Sequence, residues 1–285
     1  MSQLDGKVIA ITGGASGMGA ATAQLAASRG ARTVIADLNG DAAAQVAAEI
    51  GENAIGVAAD VSTEDGTDAY LRAGIDKWGR LDGAFLNAGY PGPFGPFGDS
   101  SVEEFDRIMA VNLRGVYLGL RGAIRHLREA GGGTVIVTAS AAALTGAQQM
   151  GSYSASKHGV VGLVRAASLD HARDGIRINA VCPGSTDTPM IRATETLFGG
   201  GDQAAGRAMM EGSLPLARYA TPDEIARAVA WLLSDEASYV TGAIIPVDGG
   251  MTAGPFTPPA AESQQNADMP GVVEEPRLTG GRSSN

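Results

Sequence analysis

Three side chains in the middle of the chain have types and spacing suited to moving a proton. Tyr153 and Lys157 lie four residues apart, so a helix would place them on one face, about one turn from each other. An unperturbed phenol has a pKa of about 10, and a nearby ammonium lowers that pKa by stabilising the phenolate. We therefore predict that Tyr153 exchanges a proton with a substrate, that Lys157 tunes it, and that Ser140 holds the substrate oxygen. Taken alone, a Tyr-x-x-x-Lys pair is also an ordinary helix-surface pattern.

A glycine-rich segment near the N-terminus has the composition of a phosphate-binding turn. Thr12-Gly13-Gly14-Ala15-Ser16-Gly17-Met18-Gly19 follows an apolar run and precedes an Ala-rich stretch. In a strand-turn-helix context, glycines allow a tight turn and a close approach to a pyrophosphate, and the helix start presents free N–H groups. This context predicts a dinucleotide site that includes Gly13, Ser16, Gly17, Met18 and Gly19. Without the context, a glycine cluster would indicate only a turn.

Acidic residues after the second and third apolar runs predict how the adenosine half is bound. Asp37 lies eighteen residues beyond Gly19 at the end of a predicted strand, where a carboxylate can accept hydrogen bonds from ribose hydroxyls. No Lys or Arg accompanies Asp37 and Leu38 to neutralise an extra phosphate, which favours NAD over NADP. Asp60 is predicted to accept from the adenine amino group, with Val61 against the ring. Either aspartate could instead cap a helix.

Composition narrows the class of protein. The 285 residues contain 31 Asp and Glu against 21 Lys and Arg, a net charge of -10, which disfavours nucleic-acid binding. Cys182 is the one cysteine, so no disulfide framework forms within the chain and a reducing cytoplasm is expected. The first seven residues do not resemble a signal peptide, and no apolar run reaches the roughly 18 residues of a membrane helix. The three histidines lack metal-ligand spacing, so we predict no metal.

Short apolar runs alternate with Ala-rich stretches whose apolar residues recur at helical spacing. We predict strands at 7–12, 32–37, 53–59, 81–87, 134–138, 176–181 and 243–247. We predict helices at 18–28, 41–50, 63–78, 102–129, 153–173 and 222–233. This order indicates an α/β fold with a doubly wound parallel sheet of about seven strands and helices on both faces. Such a sheet would place Asp37 and Ser140 at the ends of strands and Tyr153 with Lys157 on a helix.

Two segments interrupt the alternation of strands and helices. Residues 187–219 contain Met190, Leu197, Met209 and Met210, and we predict that they form a helical lid over an apolar substrate. The same side chains could instead pack lid to core or fill a subunit interface. Residues 254–285 hold 5 of the 13 prolines and have no apolar period, which predicts a flexible tail, or alternatively an arm on a neighbouring subunit. We assign residues 1–253 to one domain.

Several of these motifs together carry a family resemblance. In order and spacing, the chain resembles the short-chain dehydrogenase/reductase family over residues 5–252, through 12–19, Asn87-Ala88-Gly89, Asn112, Ser140, Tyr153-Ser154-Ala155-Ser156-Lys157 and Pro183-Gly184. The resemblance implies a single-domain Rossmann-type fold and NAD-dependent interconversion of a secondary alcohol and a ketone. With the apolar lid, it favours a bulky or cyclic substrate. A noncatalytic NAD-sensing module is the alternative, and a lyase or epimerase on the same scaffold is less favoured because the cofactor motifs are complete.

The resemblance also implies roles for individual residues. Tyr153 would be the general acid/base, Lys157 would tune it and bind the cofactor ribose, Ser140 would orient the substrate, and Asn112 would hold a water of a proton relay. Backbone at Asn87, Ala88 and Gly89 would lie beside the cofactor, while Pro183, Gly184 and Thr188 would bind the nicotinamide end. A homotetramer is expected, assembled through the helices predicted at 102–129 and 153–173.

Overall fold

Parallel strands form the centre of the molecule. The computed structural model describes residues 4–258, and all statements about structure concern that part of the chain. One seven-stranded sheet runs through it in the order β3-β2-β1-β4-β5-β6-β7, with all neighbours parallel. The strands are β1 (Val8–Thr12), β2 (Arg32–Asp37), β3 (Ala54–Ala58), β4 (Gly83–Leu86), β5 (Gly133–Thr138), β6 (Ile176–Pro183) and β7 (Ile244–Val247).

Helices connect the strands and cover both faces of the sheet. They are α1 (Gly17–Ser28), α2 (Gly40–Ile50), α3 (Glu64–Trp78), α4 (Val102–Met109), α5 (Gly115–Glu129), α6 (Gly151–His171), α7 (Pro189–Phe198), α8 (Gln203–Gly212) and α9 (Pro222–Leu233). A π-helical segment, Ala110–Arg114, joins α4 to α5. The fold is therefore the predicted single-domain, doubly wound α/β type.

The central strands are apolar throughout because each contributes to two cores. In β1, Val8 and Ala10 face the core that includes α3, α5 and α6, while Ile9 and Ile11 face the core that includes α1 and α9. All four side chains are fully buried. Alternation of side chains across a strand produces this division, and burial on both faces explains the unbroken apolar runs of the sequence.

The strand order reverses at β1, which lies between β2 and β4. Ligands of open parallel sheets bind in the crevice outside the carboxyl ends of the strands at such a reversal. Thr12, Leu86 and Thr138 end β1, β4 and β5 at this crevice. The sheet therefore brings the glycine-rich turn and the segment containing Ser140 to the same edge, although they are far apart in the sequence.

The predicted element limits differ from the observed limits by no more than two residues, with one informative exception. The helix predicted over 102–129 is interrupted by the π-helical segment, which contains Asn112. The region predicted as a lid contains α7 and α8. The predicted tail lies outside the described residues except for 254–258.

No helix within residues 4–258 combines the length and apolarity needed to cross a bilayer.

Candidate active site

Helix α6 brings Tyr153 and Lys157 into one cleft at the end of β5. Lys157 is only 2% exposed, and its Nζ donates a hydrogen bond of 2.8 Å to the carbonyl oxygen of Thr138. The same Nζ lies 5.7 Å from the centre of the Tyr153 ring. The four-residue spacing therefore places the phenol and the amine together, with the amine held by the last residue of the strand.

Ser140 lies two residues after β5 and begins a short 3-10 turn, Ala141–Ala143. Its Oγ accepts a hydrogen bond of 3.1 Å from the N–H of Ala142, which fixes the direction of the side chain. The Ser140 side chain also lies close enough to the phenol of Tyr153 to lower the pKa of that phenol. The predicted trio of Ser140, Tyr153 and Lys157 thus shares one cleft.

The electrostatics of the cleft correct one prediction. Burial raises the pKa of the Tyr153 phenol, and the nearby Ser140 side chain opposes that rise without cancelling it. Burial also lowers the pKa of Lys157 to about 8. The prediction that Lys157 would leave Tyr153 with a lowered pKa is therefore wrong for the cofactor-free cleft. The same walls desolvate both groups, and the amine is bonded to a carbonyl oxygen rather than to the phenol.

Asn112 lies in the π-helical segment and is fully buried. Its Oδ1 accepts from the N–H of Tyr90 at 2.7 Å, and its Nδ2 donates to the carbonyl of Tyr90 at 2.9 Å and to Ser156 Oγ at 3.2 Å. The amide side chain thus fastens the segment after β4 to α6. Its predicted place in a water relay remains a prediction.

The glycine-rich turn has the shape that a pyrophosphate needs. Gly13 has φ of +62°, and a Cβ on Gly19 would stand 2.1 Å from the carbonyl oxygen of Gly13, so neither position accepts a side chain without rearrangement. The N-terminus of α1 has no side-chain cap from Ser16 and no acidic residue in its first turn. The first-turn N–H groups of α1 therefore have no carboxylate of their own helix beside them, which fits a bound phosphate.

Asp37 connects the end of β2 to the glycine-rich turn. Its Oδ2 accepts from the N–H of Ala15 at 3.1 Å, and its Oδ1 accepts from the N–H of Asn39 at 3.0 Å. Each carboxylate oxygen has more than one acceptor site, so both can still bind hydroxyl donors. Leu38 beside it is 77% exposed and offers an apolar surface to a flat base.

The side chains of Asp60 and Asn87 form hydrogen bonds that hold neighbouring backbone segments in place. Oδ1 of Asp60 accepts from the N–H and the hydroxyl of Ser62 at 2.9 and 2.7 Å, while Val61 beside it is half-buried. The residue that caps α3 is Thr63, so the Asp60 side chain does not cap that helix. The Asn87 amide donates to the carbonyls of Thr12 and Gly13 at 3.1 and 3.2 Å. Asn87 therefore holds the glycine-rich turn against β4, and Ala88 and Gly89 continue from it along the crevice.

A cavity of about 580 Å³ opens from the cleft that holds Ser140 and Tyr153. Met18, Pro183, Gly184 and Thr188 line the side next to the glycine-rich turn. Within the described part of the chain, Tyr153 is the one ionisable side chain on its wall. The remaining wall is largely apolar and holds six methionines in all, namely Met18, Met150, Met190, Met209, Met210 and Met251.

The lid forms much of this wall. Helices α7 and α8 lie close together, because Gly206 of α8 faces the Glu195 carbonyl of α7 and a Cβ there would stand 1.8 Å from it. The Glu195 side chain is buried and accepts from Gln203 Nε2 at 2.7 Å. Leu197, predicted to face the substrate, is instead 48% exposed and does not line the cavity. It lies on the outer side of α7, which the methionine spacing alone did not indicate.

Sequence reasoning missed several groups that shape the site. The Thr138 carbonyl holds Lys157, and the Thr12 hydroxyl accepts from the N–H groups of Asn87 and Ala88 at 2.9 and 3.1 Å. A backbone carbonyl has no signature in the sequence. The position of Thr12 at the end of β1 was the available signal, since neighbouring parallel strands end at one edge.

Comparison with known proteins identifies the family. A family model described as enoyl-(acyl carrier protein) reductase matches residues 13–252. Levodione reductase of Leifsonia aquatica is 40% identical over 253 residues, which are 87% of this chain and 94% of that protein. A 2,5-dichloro-2,5-cyclohexadiene-1,4-diol dehydrogenase of Sphingobium indicum is also 40% identical, over 89% of this chain and 100% of that protein. The chain belongs to the short-chain dehydrogenase/reductase family.

Solved structures agree with this assignment. A crystal structure of levodione reductase is similar with a TM-score of 0.85 and 38% identity, covering 88% of this chain and 99% of that one. A 3-ketoacyl-(acyl-carrier-protein) reductase from Brucella melitensis, complexed with NADH, has a TM-score of 0.79 and 36% identity, covering 87% and 99%. The fold is therefore that of a family of oxidoreductases.

Proposed function

We propose that this protein is an NAD-dependent oxidoreductase that interconverts a neutral, cyclic secondary alcohol and its ketone. The observation that carries the proposal is the convergence of Ser140, Tyr153 and Lys157 at the end of β5, beside an apolar cavity. A phenol, a hydroxyl and an amine at the mouth of a dinucleotide crevice are the groups that proton exchange with an alcohol oxygen requires. A module that only senses the dinucleotide has no need of them.

Tyr153 is the group that moves the proton. In ketone reduction its phenol donates to the carbonyl oxygen, and in alcohol oxidation its phenolate accepts the hydroxyl proton. Ser140 donates a hydrogen bond to the same substrate oxygen and keeps it in line with Tyr153. Because burial raises the pKa of the phenol, the protonated form prevails at neutral pH in the cofactor-free cleft. Alcohol oxidation should therefore accelerate as pH rises, and NAD preference favours that direction in the cell.

The cofactor is NAD, held by the glycine-rich turn and the end of β2. Gly13, Ser16, Gly17, Met18 and Gly19 would surround the pyrophosphate, and Asp37 would accept from the ribose hydroxyls with Leu38 against the adenine. The adenine would also meet Asp60 and Val61. Asn87, Ala88 and Gly89 would border the nicotinamide ribose with Lys157, and Pro183, Gly184 and Thr188 the carboxamide. The chemistry that NAD supplies when bound is the acceptance or release of a hydride.

The substrate class follows from the cavity wall. Among the described residues, no acidic or basic side chain lines the cavity to bind a carboxylate, phosphate or ammonium. Methionines adapt to irregular apolar shapes, which suits a ring better than a polar chain. The chlorinated cyclohexadiene diol in the name of the Sphingobium relative supports a ring of that size.

Residues 1–253 form the catalytic domain, with 187–219 as its substrate lid, and 254–285 are a tail. We propose a cytoplasmic homotetramer assembled through α4, α5 and α6. Exposed Phe105 and Tyr117 on α4 and α5, with 40% and 51% exposure, support that interface because apolar side chains in a contact lose their exposure to water.

The proposal is tested by following reduced nicotinamide by absorbance. Wild-type protein is mixed with NAD or NADP and with cyclohexanol, substituted cyclohexanols and linear secondary alcohols of equal carbon number. The expected result is turnover of the cyclic alcohols with NAD. Binding of NAD without turnover of any alcohol would overturn the proposal and favour the sensing module.

A further inference from the structure

The turn at residues 147–150 presents a polar side chain that the mechanism does not use. Gln148 lines the substrate cavity. The residue is exposed, and within residues 4–258 its amide makes no hydrogen bond to the protein, so its two donors and its two-site acceptor are available to a substrate. This group lies on the wall that otherwise consists mainly of apolar side chains, a few residues before Tyr153 in the chain.

The backbone of this turn is held in a costly conformation. Met150 N–H donates to the carbonyl of Ala147 at 3.2 Å, which closes a β-turn with Gln148 and Gln149 at its centre. Gln149 has φ of +64°, a left-handed conformation that non-glycine residues rarely adopt. Its carbonyl accepts from Gly95 N–H at 3.1 Å, so the turn is fastened to the segment after β4. Strain that persists beside a binding cavity points to a functional position for the side chains of the turn.

Most other polar side chains on the wall already have partners. The hydroxyls that donate to acceptors within the protein are those of Thr138, Thr145, Thr186, Thr188 and Ser213. Ser185 adjoins Pro183 and Gly184, next to the proposed nicotinamide site. Besides the catalytic pair Ser140 and Tyr153, Gln148 and Thr194 of α7 therefore remain as groups available to a substrate.

We infer that Gln148 determines specificity by binding a second, uncharged oxygen of the ring substrate, away from the carbon oxidised at Tyr153. An amide can donate to a ketone and accept from a hydroxyl, so it can bind the second oxygen in either form. The side chain of Thr194 is shorter than that of Gln148 and carries a single hydroxyl. The substrate class is thus a ring with two oxygen functions, such as a diol, a hydroxyketone or a diketone. The inference rests on the proposed function.

The test compares substrates that differ in the distal oxygen. Two ratios of kcat/KM are measured. The diol ratio is the kcat/KM of cyclohexane-1,4-diol divided by that of cyclohexanol, both with NAD. The dione ratio is the kcat/KM of cyclohexane-1,4-dione divided by that of cyclohexanone, both with NADH. In Gln148→Leu both ratios should fall about three- to tenfold, mainly through KM, as loss of one net hydrogen bond implies. In Gln148→Glu the diol ratio should persist while the dione ratio falls, because a carboxylate accepts but does not donate.

Matched variants decide between this role and a general effect on the wall. Gln149→Asn, which tolerates the left-handed backbone, should leave both ratios as in the wild type. Unchanged ratios in Gln148→Leu would overturn the inference, and so would a fall of equal size in Thr194→Val. If the wild type turns over neither cyclohexanol nor the diol, the proposed function fails and the inference fails with it. Turnover of cyclohexanol with ratios insensitive to Gln148 refutes the inference alone.

Discussion

The amine of Lys157 lies 5.7 Å from the centre of the Tyr153 ring, yet it is hydrogen-bonded to the carbonyl of Thr138. The amine therefore lies near the phenol while its hydrogen bond goes to the backbone of β5. Both groups lose solvation in the same cleft, with opposite effects on their pKa values. This arrangement makes the roles of the two side chains separable by substitution.

Removing the phenol hydroxyl should abolish proton exchange without changing the fold. In Tyr153→Phe we expect kcat for cyclohexanol oxidation to fall by about a thousandfold, within the range that general acid/base catalysis contributes. NAD affinity and thermal stability should remain close to the wild type. Steady-state kinetics, fluorescence titration and thermal unfolding measure the three quantities. Turnover that survives unchanged would contradict the mechanism, and Tyr239→Phe, at a fully exposed residue, serves as the control.

The buried amine should make stability depend on pH. The pKa of Lys157 falls from 10.5 to about 8 on folding, so between these values the unfolded chain binds a proton that the folded chain lacks. Stability contributed at this site should therefore be flat below about pH 8, rise with pH up to about 10.5, and be flat above. The full change is about 3 kcal/mol.

Chemical denaturation of the cofactor-free protein at pH 7.5 and 10 measures this change. Lys157→Met removes the titrating group, so the free energy of unfolding of the wild type relative to this variant should increase between the two pH values. A constant difference would show that the amine keeps its ordinary pKa. Exposed Lys77→Met serves as the control for general effects of removing a lysine.

Asp37 should set the choice of cofactor. Loss of the proposed hydrogen bonds from the ribose to Asp37 in Asp37→Ala should weaken NAD binding about 10- to 100-fold, as expected for bonds to a charged group. NADP binding should improve, because the carboxylate that repels the extra phosphate is gone. Asp37→Asn keeps an acceptor for the Ala15 N–H and separates the effect of charge from that of the turn. A wild type that binds NADP more tightly than NAD would refute this assignment.

The close contact of the two lid helices should be sensitive to one methyl group. Gly206→Ala places a Cβ against the Glu195 carbonyl and should destabilise the protein by about 1–3 kcal/mol and raise KM. This steric cost exceeds the gain of about 1 kcal/mol that alanine brings to a helix. Gly212→Ala, with no atom within 4 Å of the added Cβ, should be neutral or stabilising. Thermal unfolding and cyclohexanol kinetics of the two variants provide the comparison.

The sequence predicted the features that depend on local pattern. Apolar runs located every strand, and the Tyr153 and Lys157 spacing located the cleft because helical geometry is regular. The π-helical segment around Asn112 and the outward direction of Leu197 were missed, since both depend on packing between distant segments. The pKa of Tyr153 was predicted in the wrong direction because burial is a property of the whole fold, whereas a neighbouring charge can be seen in the sequence.

The six methionine side chains around the cavity also affect how its specificity can evolve. Rigid, branched side chains would restrict a binding site to one shape, because each substitution among them would leave a cavity or cause a steric clash. Unbranched side chains with three rotatable bonds refill such gaps themselves. Substitutions in the lid can therefore change the shape of the cavity at little cost in folding, while Ser140, Tyr153 and Lys157 at the sheet edge stay as they are.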